Sequence, residues 1–231
     1  MTGHDLERSD VRGARLVRRV GAWAAIVGPT IFVVTFTVEG WLRPDYSATA
    51  MFVSALALGS SGWIQILNFV IVGLSFLALA RGVAARFPTG TASRAAPIVL
   101  RIIGLSLIGS GPFVMDPAGM SFPERTLHGE VHQLLGALVF SLGPASAFVL
   151  FRRFRSEPGR RAMAGWSLAA GIIMLAAVVV LKAATLPPPA SPNALTAWVG
   201  LIQRVAIVTL MSWVVSVGVR LLRSSDGQPG R

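Results

Sequence analysis

The stretch "TLHGEVHQLL", residues 126–135, carries two of the chain's three histidines, His128 and His132, with Glu130 between them. On a helix, residues four apart share a face, so the two imidazoles would stand one turn apart at metal-ligand spacing. The pattern is neither HExxH nor HxxEH, because Glu130 takes the wrong place in the turn for a zinc protease. A zinc deaminase would need cysteines beside its HxE element, and the chain has none. Three readings follow. His128 and His132 could bind a divalent metal with Asp116 or Glu39 as third ligand. The same residues could do acid–base or binding work without a metal. Or they hydrate the start of a helix.

A second candidate is Arg204 in "GLIQRVAIV". A guanidinium inside an apolar helix costs roughly 2.5–3.5 kcal/mol on insertion scales, so it must face water or a partner. The outer carboxylates are the expected partners, with Gln203 and Gln65 as polar neighbours. Arg101, near the end of its own apolar run, can snorkel.

These residues hang on apolar elements. Of 231 residues, 53% are hydrophobic and 13% charged, about half the charge of an ordinary soluble domain. Six long apolar runs read as an all-α bundle of six transmembrane helices, at about 20–39, 62–80, 97–115, 131–151, 163–186 and 195–222. Pro29, Pro112 and Pro144 fall within them. The first run is too long for a cleaved signal and is read as a retained helix. Residues 1–18 form a basic cytoplasmic tail and 223–231 a second tail, both expected to be disordered. Between the first two spans, "MFVSALALG" is too short to cross and suggests an interfacial or re-entrant segment, lid-like or lying in the headgroups.

Arginine sets the orientation. The basic residues crowd the N-terminal tail, the 81–94 and 152–161 connections and the C-terminal end, while the alternate side holds Arg43, Arg125 and Lys182. By the positive-inside rule both termini face the cytoplasm, in the plasma membrane. Glu39, Asp45, Asp116, Glu124, Glu130, His128, His132 and the only tyrosine, Tyr46, then fall on the outer side. Trp41, Trp63 and Trp198 read as interfacial anchors. The net charge of +11 does not indicate nucleic acid, because apolar spans separate the basic segments.

The blocks "VEGWLRPDYSATAMFVSALALGSSGWIQ", "FVMDPAGMSFPERTLHGEVHQLLGALVF" and "GLIQRVAIVTLMSWVVSVGVRLL" carry a resemblance. In order and spacing they resemble the signature blocks of the bacterial integral-membrane family called domain of unknown function 998, over about residues 21–222. The family pattern maps to Glu39 and Gly40, Pro44 and Tyr46, Ser54, Leu58 and Gly59, Gly62 and Trp63, Asp116 and Pro117, His132, and Gln203 and Arg204. Asp45 departs from it, standing where the family often has glycine. The resemblance implies a six-helix membrane protein and one connected site, but no reaction.

The expectation is an intramembrane enzyme, a lipid hydrolase or isoprenoid cyclase, acting on a hydrophobic small molecule among membrane lipids. Glu39, Asp116 and His132 would supply acid–base catalysis; Arg204, Tyr46, Ser54, Trp63 and Gln203 would bind substrate. No cofactor is required unless the two histidines hold a metal. The alternatives are a lipid-binding protein or transporter without chemistry, and an accessory subunit. A homodimer is compatible with all three.

Overall fold

The computed structural model describes residues 3–120, 122–157, 159–186 and 194–226. Among them the chain is helical, with no strand: α1 (Gly3–Leu42), α2 (Gly62–Arg86), α3 (Ala95–Gly109), α4 (Leu127–Arg155), α5 (Arg161–Thr185) and α6 (Val199–Asp226). Five helices are long and apolar enough to cross a membrane, and α3 is a shorter apolar helix, so the chain is a multi-pass helical membrane bundle. Each helix packs on the next, and α6 closes on α1, so the six form a ring.

The stops are local. Pro88 follows α2 by two residues and Pro187 follows α5 by two, and neither can supply a helical N–H. Thr126 caps α4, its hydroxyl accepting from the Gly129 amide at 3.0 Å. Pro29 and Pro144 lie within α1 and α4.

Small residues bring the helices together. A Cβ on Gly73 of α2 would lie 2.6 Å from the Gly104 carbonyl of α3, and one on Gly104 would lie 2.8 Å from the Gly73 carbonyl. Gly28 of α1 likewise leaves room only for Ser75 of α2. The outside carries exposed apolar side chains such as Leu74, Leu105, Ile172 and Val179, while Gln65, Asn68, Ser106, Ser167 and Gln203 are buried. Apolar residues facing out and polar ones facing in suit lipid as the solvent. Trp41, Trp63 and Trp198 are exposed at one end, as interfacial anchors would be.

Several expectations are corrected. The third apolar run is helical only over Ala95–Gly109, so Pro112 lies outside the helix; Gly109, Gly111 and Pro112 together end it. The N-terminal segment is not disordered but helical from Gly3, since no proline interrupts it before Pro29 and arginine is a good helix former. At the other end α6 runs to Asp226; the remaining tail residues, 227–231, and residues 1–2 lie outside the described residues. The segment after Met51 forms a 3₁₀ turn, Val53–Ala57, against α1, α2 and α6. Val53 and Leu56 are almost wholly buried, so the segment is a plug packed within the protein.

Connections 43–61 and 110–126 meet at one end, here the upper end, where Ser54 and Asp116 line one cavity. At the lower end Arg153 of α4 reaches Thr89, and Arg220 of α6 reaches Gly159.

The Gly73–Gly104 contact yields a test. Gly73→Ala should destabilise the protein by about 1–3 kcal/mol through forced separation of α2 and α3. Gly13→Ala, with open space around its Cβ, should not. Thermal unfolding in detergent compares them; equal midpoints would contradict close backbone packing.

Candidate functional site: a clamped plug over a two-part cavity

The guanidinium of Arg204 organises the upper end. Its Nη1 donates to the carbonyls of Ala48 at 2.6 Å, Met51 at 3.1 Å and Gly200 at 3.1 Å, and its Nη2 donates to the Tyr46 hydroxyl. The guanidinium carbon stands 5.4 Å from the Tyr46 ring centroid and 5.7 Å from that of Phe36. Tyr46 donates onward to the Phe52 carbonyl at 3.1 Å. The Leu201 amide, a free donor of the first turn of α6, is answered by the Thr49 carbonyl at 3.0 Å. Gly200 makes the approach possible, since a Cβ there would lie 2.7 Å from the Ala48 carbonyl oxygen.

The carboxylate partners expected for Arg204 are therefore replaced by loop carbonyls and a phenol. The reason is geometric: the 46–51 turn brings three acceptors within reach of one planar fork. Glu39 instead accepts from Arg43, one turn along, at 2.5 Å, and Arg43 also donates to the Leu58 carbonyl at 2.9 Å. Glu39 is buried, and its Oε2 has no hydrogen-bond partner among the described residues. Gly40 leaves room for the Tyr46 ring, 2.8 Å from where a Cβ would stand. The Glu39–Gly40 and Tyr46 positions thus form one clamp with Arg204.

The clamp seats the plug, and the plug walls a cavity. Gln203, beside Arg204, accepts from the Val53 amide at 2.8 Å. Below lies a partly open apolar chamber of about 50 Å³, with walls that include Phe32, Phe69, Leu107, Met174 and Leu210. Beside it a larger cavity of about 350 Å³ is polar on one side, through Asp116, Arg125, Glu130, Gln133 and Lys182. The two share a partition of Ser54, His132, Gly136, Phe140, Val178 and Gln203.

His132 is the titratable member of that partition. Its Nδ1 lies 2.7 Å from the Phe113 carbonyl, which can only accept, so Nδ1 carries a proton and donates. The acceptor has no helical donor, because α3 ends at Gly109 and the residue four after Phe113, Pro117, has no N–H. The edge of the Phe69 ring, at 6.1 Å between centroids, holds the imidazole from the other side.

Asp116 lines the larger cavity but is also bonded at the start of α4. Its Oδ1 accepts from the Thr126 hydroxyl at 2.7 Å and its Oδ2 from the Thr126 amide at 3.0 Å. A Cβ on Gly129 would collide with that carboxylate. His128 is exposed and packs on the Phe113 ring, 5.4 Å between centroids. Among the described residues no three His, Asp or Glu side chains gather as metal ligands, so His128 and His132 lack the third ligand assigned to them. Trp63, 64% exposed, lies on the outside and does not line the cavities.

The expected single site is thus two linked groups: a clamp of Glu39, Arg43, Tyr46 and Arg204, and a cavity with Ser54, Asp116, His132 and Gln203. Sequence reasoning did not assign Lys182 or Gly136 to it. Lys182 had a signal, a basic residue on the arginine-poor side. Gly136 had one too, standing four residues after His132 on the same helix face.

The clamp has a direct readout, because Tyr46 is the chain's only tyrosine. Burial raises its pKa above the ordinary 10.0, opposed by the hydrogen bond and charge of Arg204. A raised folded-state value means that the stability tied to neutral Tyr46 holds below about pH 10 and is lost as pH rises through the folded value. Ultraviolet difference titration of the folded protein should place the tyrosinate transition above that of the unfolded chain. A transition at or below the unfolded value would contradict the burial of Tyr46, and Arg204→Gln should raise the transition further, because the Arg204 hydrogen bond and charge lower it.

The family model described as Protein of unknown function (DUF998) matches residues 26–220, from within α1 to within α6. No curated protein and no solved structure matches the chain. The matched region takes in the clamp, the plug and both cavities, and the chain belongs to the DUF998 family.

Proposed function

We propose that the chain is a six-span plasma-membrane protein that takes a lipid or isoprenoid amphiphile into its upper end, polar head in the larger cavity and apolar part across the partition. The single observation that carries this reading is the shared wall between a polar cavity and an apolar chamber. The larger volume, about 350 Å³, is within the range of small-molecule sites. Lys182 and Arg125 offer positive charge to an anionic head, while Phe32, Phe69 and Met174 offer an apolar surround to a tail. Both termini face the cytoplasm, because the lower end collects the arginines of the 81–94 and 152–161 connections. In this frame α3 is the sixth span. Its 15 residues reach about 22 Å, and the irregular backbone after it is tolerated where it borders the cavity.

Acid–base chemistry on the bound molecule is the second reading, favoured by His132. An imidazole anchored through Nδ1 at the polar–apolar boundary is oriented as a general base. Hydrolysis of a lipid ester, with His132 taking a proton from the attacking water, is the reaction of that class. Glu39 and Arg204 are left out of the chemistry, since the clamp occupies them.

Native mass spectrometry of the purified protein in mild detergent tests the reading. One co-purifying amphiphile per chain is expected, and Gly136→Leu, whose side chain would enter open space in the partition, should lose it while remaining folded. Retention by the folded Gly136→Leu protein would overturn the assignment. His132→Gln should keep the ligand and, on the second reading, abolish its conversion.

A further inference from the structure

At the lower end, away from the cavity, three arginines surround one carboxylate and a fourth lies beside them. Glu157 accepts from Arg160 Nε at 2.6 Å and from Arg153 at 3.0 Å, with Arg86 at 3.9 Å. Arg220 adds a fourth cation, donating to the Gly159 carbonyl at 3.4 Å. The ring of Phe87 supports the group, with guanidinium carbons of Arg153, Arg86 and Arg160 at 4.5, 4.9 and 5.7 Å from its centroid. One negative charge therefore faces three positive ones from α2, α4 and the 156–160 connection, with Arg220 of α6 beside them.

Arg160 is the informative member. It is 8% exposed, and its Nη1 is buried with no hydrogen-bond partner among the described residues. An orphaned donor on a buried cation is costly, and the other cations of the cluster cannot accept from it. Arg86 and Arg153 are partly exposed beside it, leaving the cluster open to an approaching anion.

We infer that the Arg86–Arg153–Arg160–Arg220 cluster is a binding site for a phosphate-bearing anion, with Arg160 Nη1 as a central donor. Guanidinium forks match the oxygens of a phosphate, and basic pockets between helices at the cytoplasmic side suit anionic headgroups. The pKa of Arg160 supports this: burial lowers it, and Arg86, Arg220 and Arg153 lower it further, against the raising effect of Glu157. A bound anion would offset both influences. The inference is independent of the upper-end cavity.

The test uses the full chain in neutral detergent. Phosphatidylglycerol and phosphatidylcholine are titrated by native mass spectrometry, and inorganic phosphate is added as competitor. One phosphatidylglycerol should bind at least about fivefold more tightly than phosphatidylcholine, and Arg86→Gln or Arg160→Gln should each weaken it about fivefold. Arg101→Gln, an exposed arginine of α3 outside the cluster, should not. Displacement by millimolar phosphate would identify free phosphate as the natural occupant, and resistance would identify a lipid headgroup; either result supports the site. Should Arg160→Gln fail to fold, Arg86→Gln carries the comparison. Equal binding of the two lipids with no effect of inorganic phosphate, or cluster variants that bind like the unmodified chain, would overturn the inference.

Discussion

A guanidinium placed inside an apolar helix must be answered, and in this protein the answer shapes the whole upper end. Arg204 draws the Ala48 and Met51 carbonyls and the Tyr46 hydroxyl onto α6. That contact folds the 43–61 connection back over the ring of helices and presses Val53–Ala57 into its mouth. Gln203, one residue earlier, then fixes the depth of the plug through the Val53 amide. Had the arginine been paired with Glu39 or Asp116, the connection would have no such anchor.

The second constraint is the early end of α3. No helical donor could answer the Phe113 carbonyl, because the residue four further on, Pro117, has no N–H. That carbonyl holds the imidazole by Nδ1 instead. The same irregular stretch carries Asp116 to the Thr126 cap, so the start of α4 and the wall of the cavity are built together. Stability and site geometry depend here on the same bonds.

Much of this architecture is legible in the sequence because lipid imposes simple rules. Long apolar runs must be helices, and the uneven arginines pair loops by side. Residues whose roles depend on a partner far along the chain are harder to read. Arg204 invites a carboxylate by charge alone, and only the folded 46–51 turn reveals that carbonyls reach it first. Glu39 looks catalytic at a helix end, yet Arg43, one turn away, takes it. Trp63 belongs to the same motif as Gly62, but its helical angle points it outward. The HGEVH spacing promises two ligands on one face, whereas His132 is buried and His128 exposed, and among the described residues no third ligand meets them. Several motif glycines become intelligible only as spaces: Gly40 for the Tyr46 ring, Gly129 for Asp116, Gly200 for the loop backbone.

The central claim is that an amphiphile lies across the partition between the polar cavity and the apolar chamber. Photo-crosslinking tests it most directly, using an isoprenoid phosphate with its reactive group at the tail, followed by peptide mapping. The account predicts labelling of chamber residues such as Met174, Ile207 and Leu210, reduced in Gly136→Leu. Labelling confined to outward-facing residues such as Leu105 and Ile172, unchanged by that substitution, would contradict it.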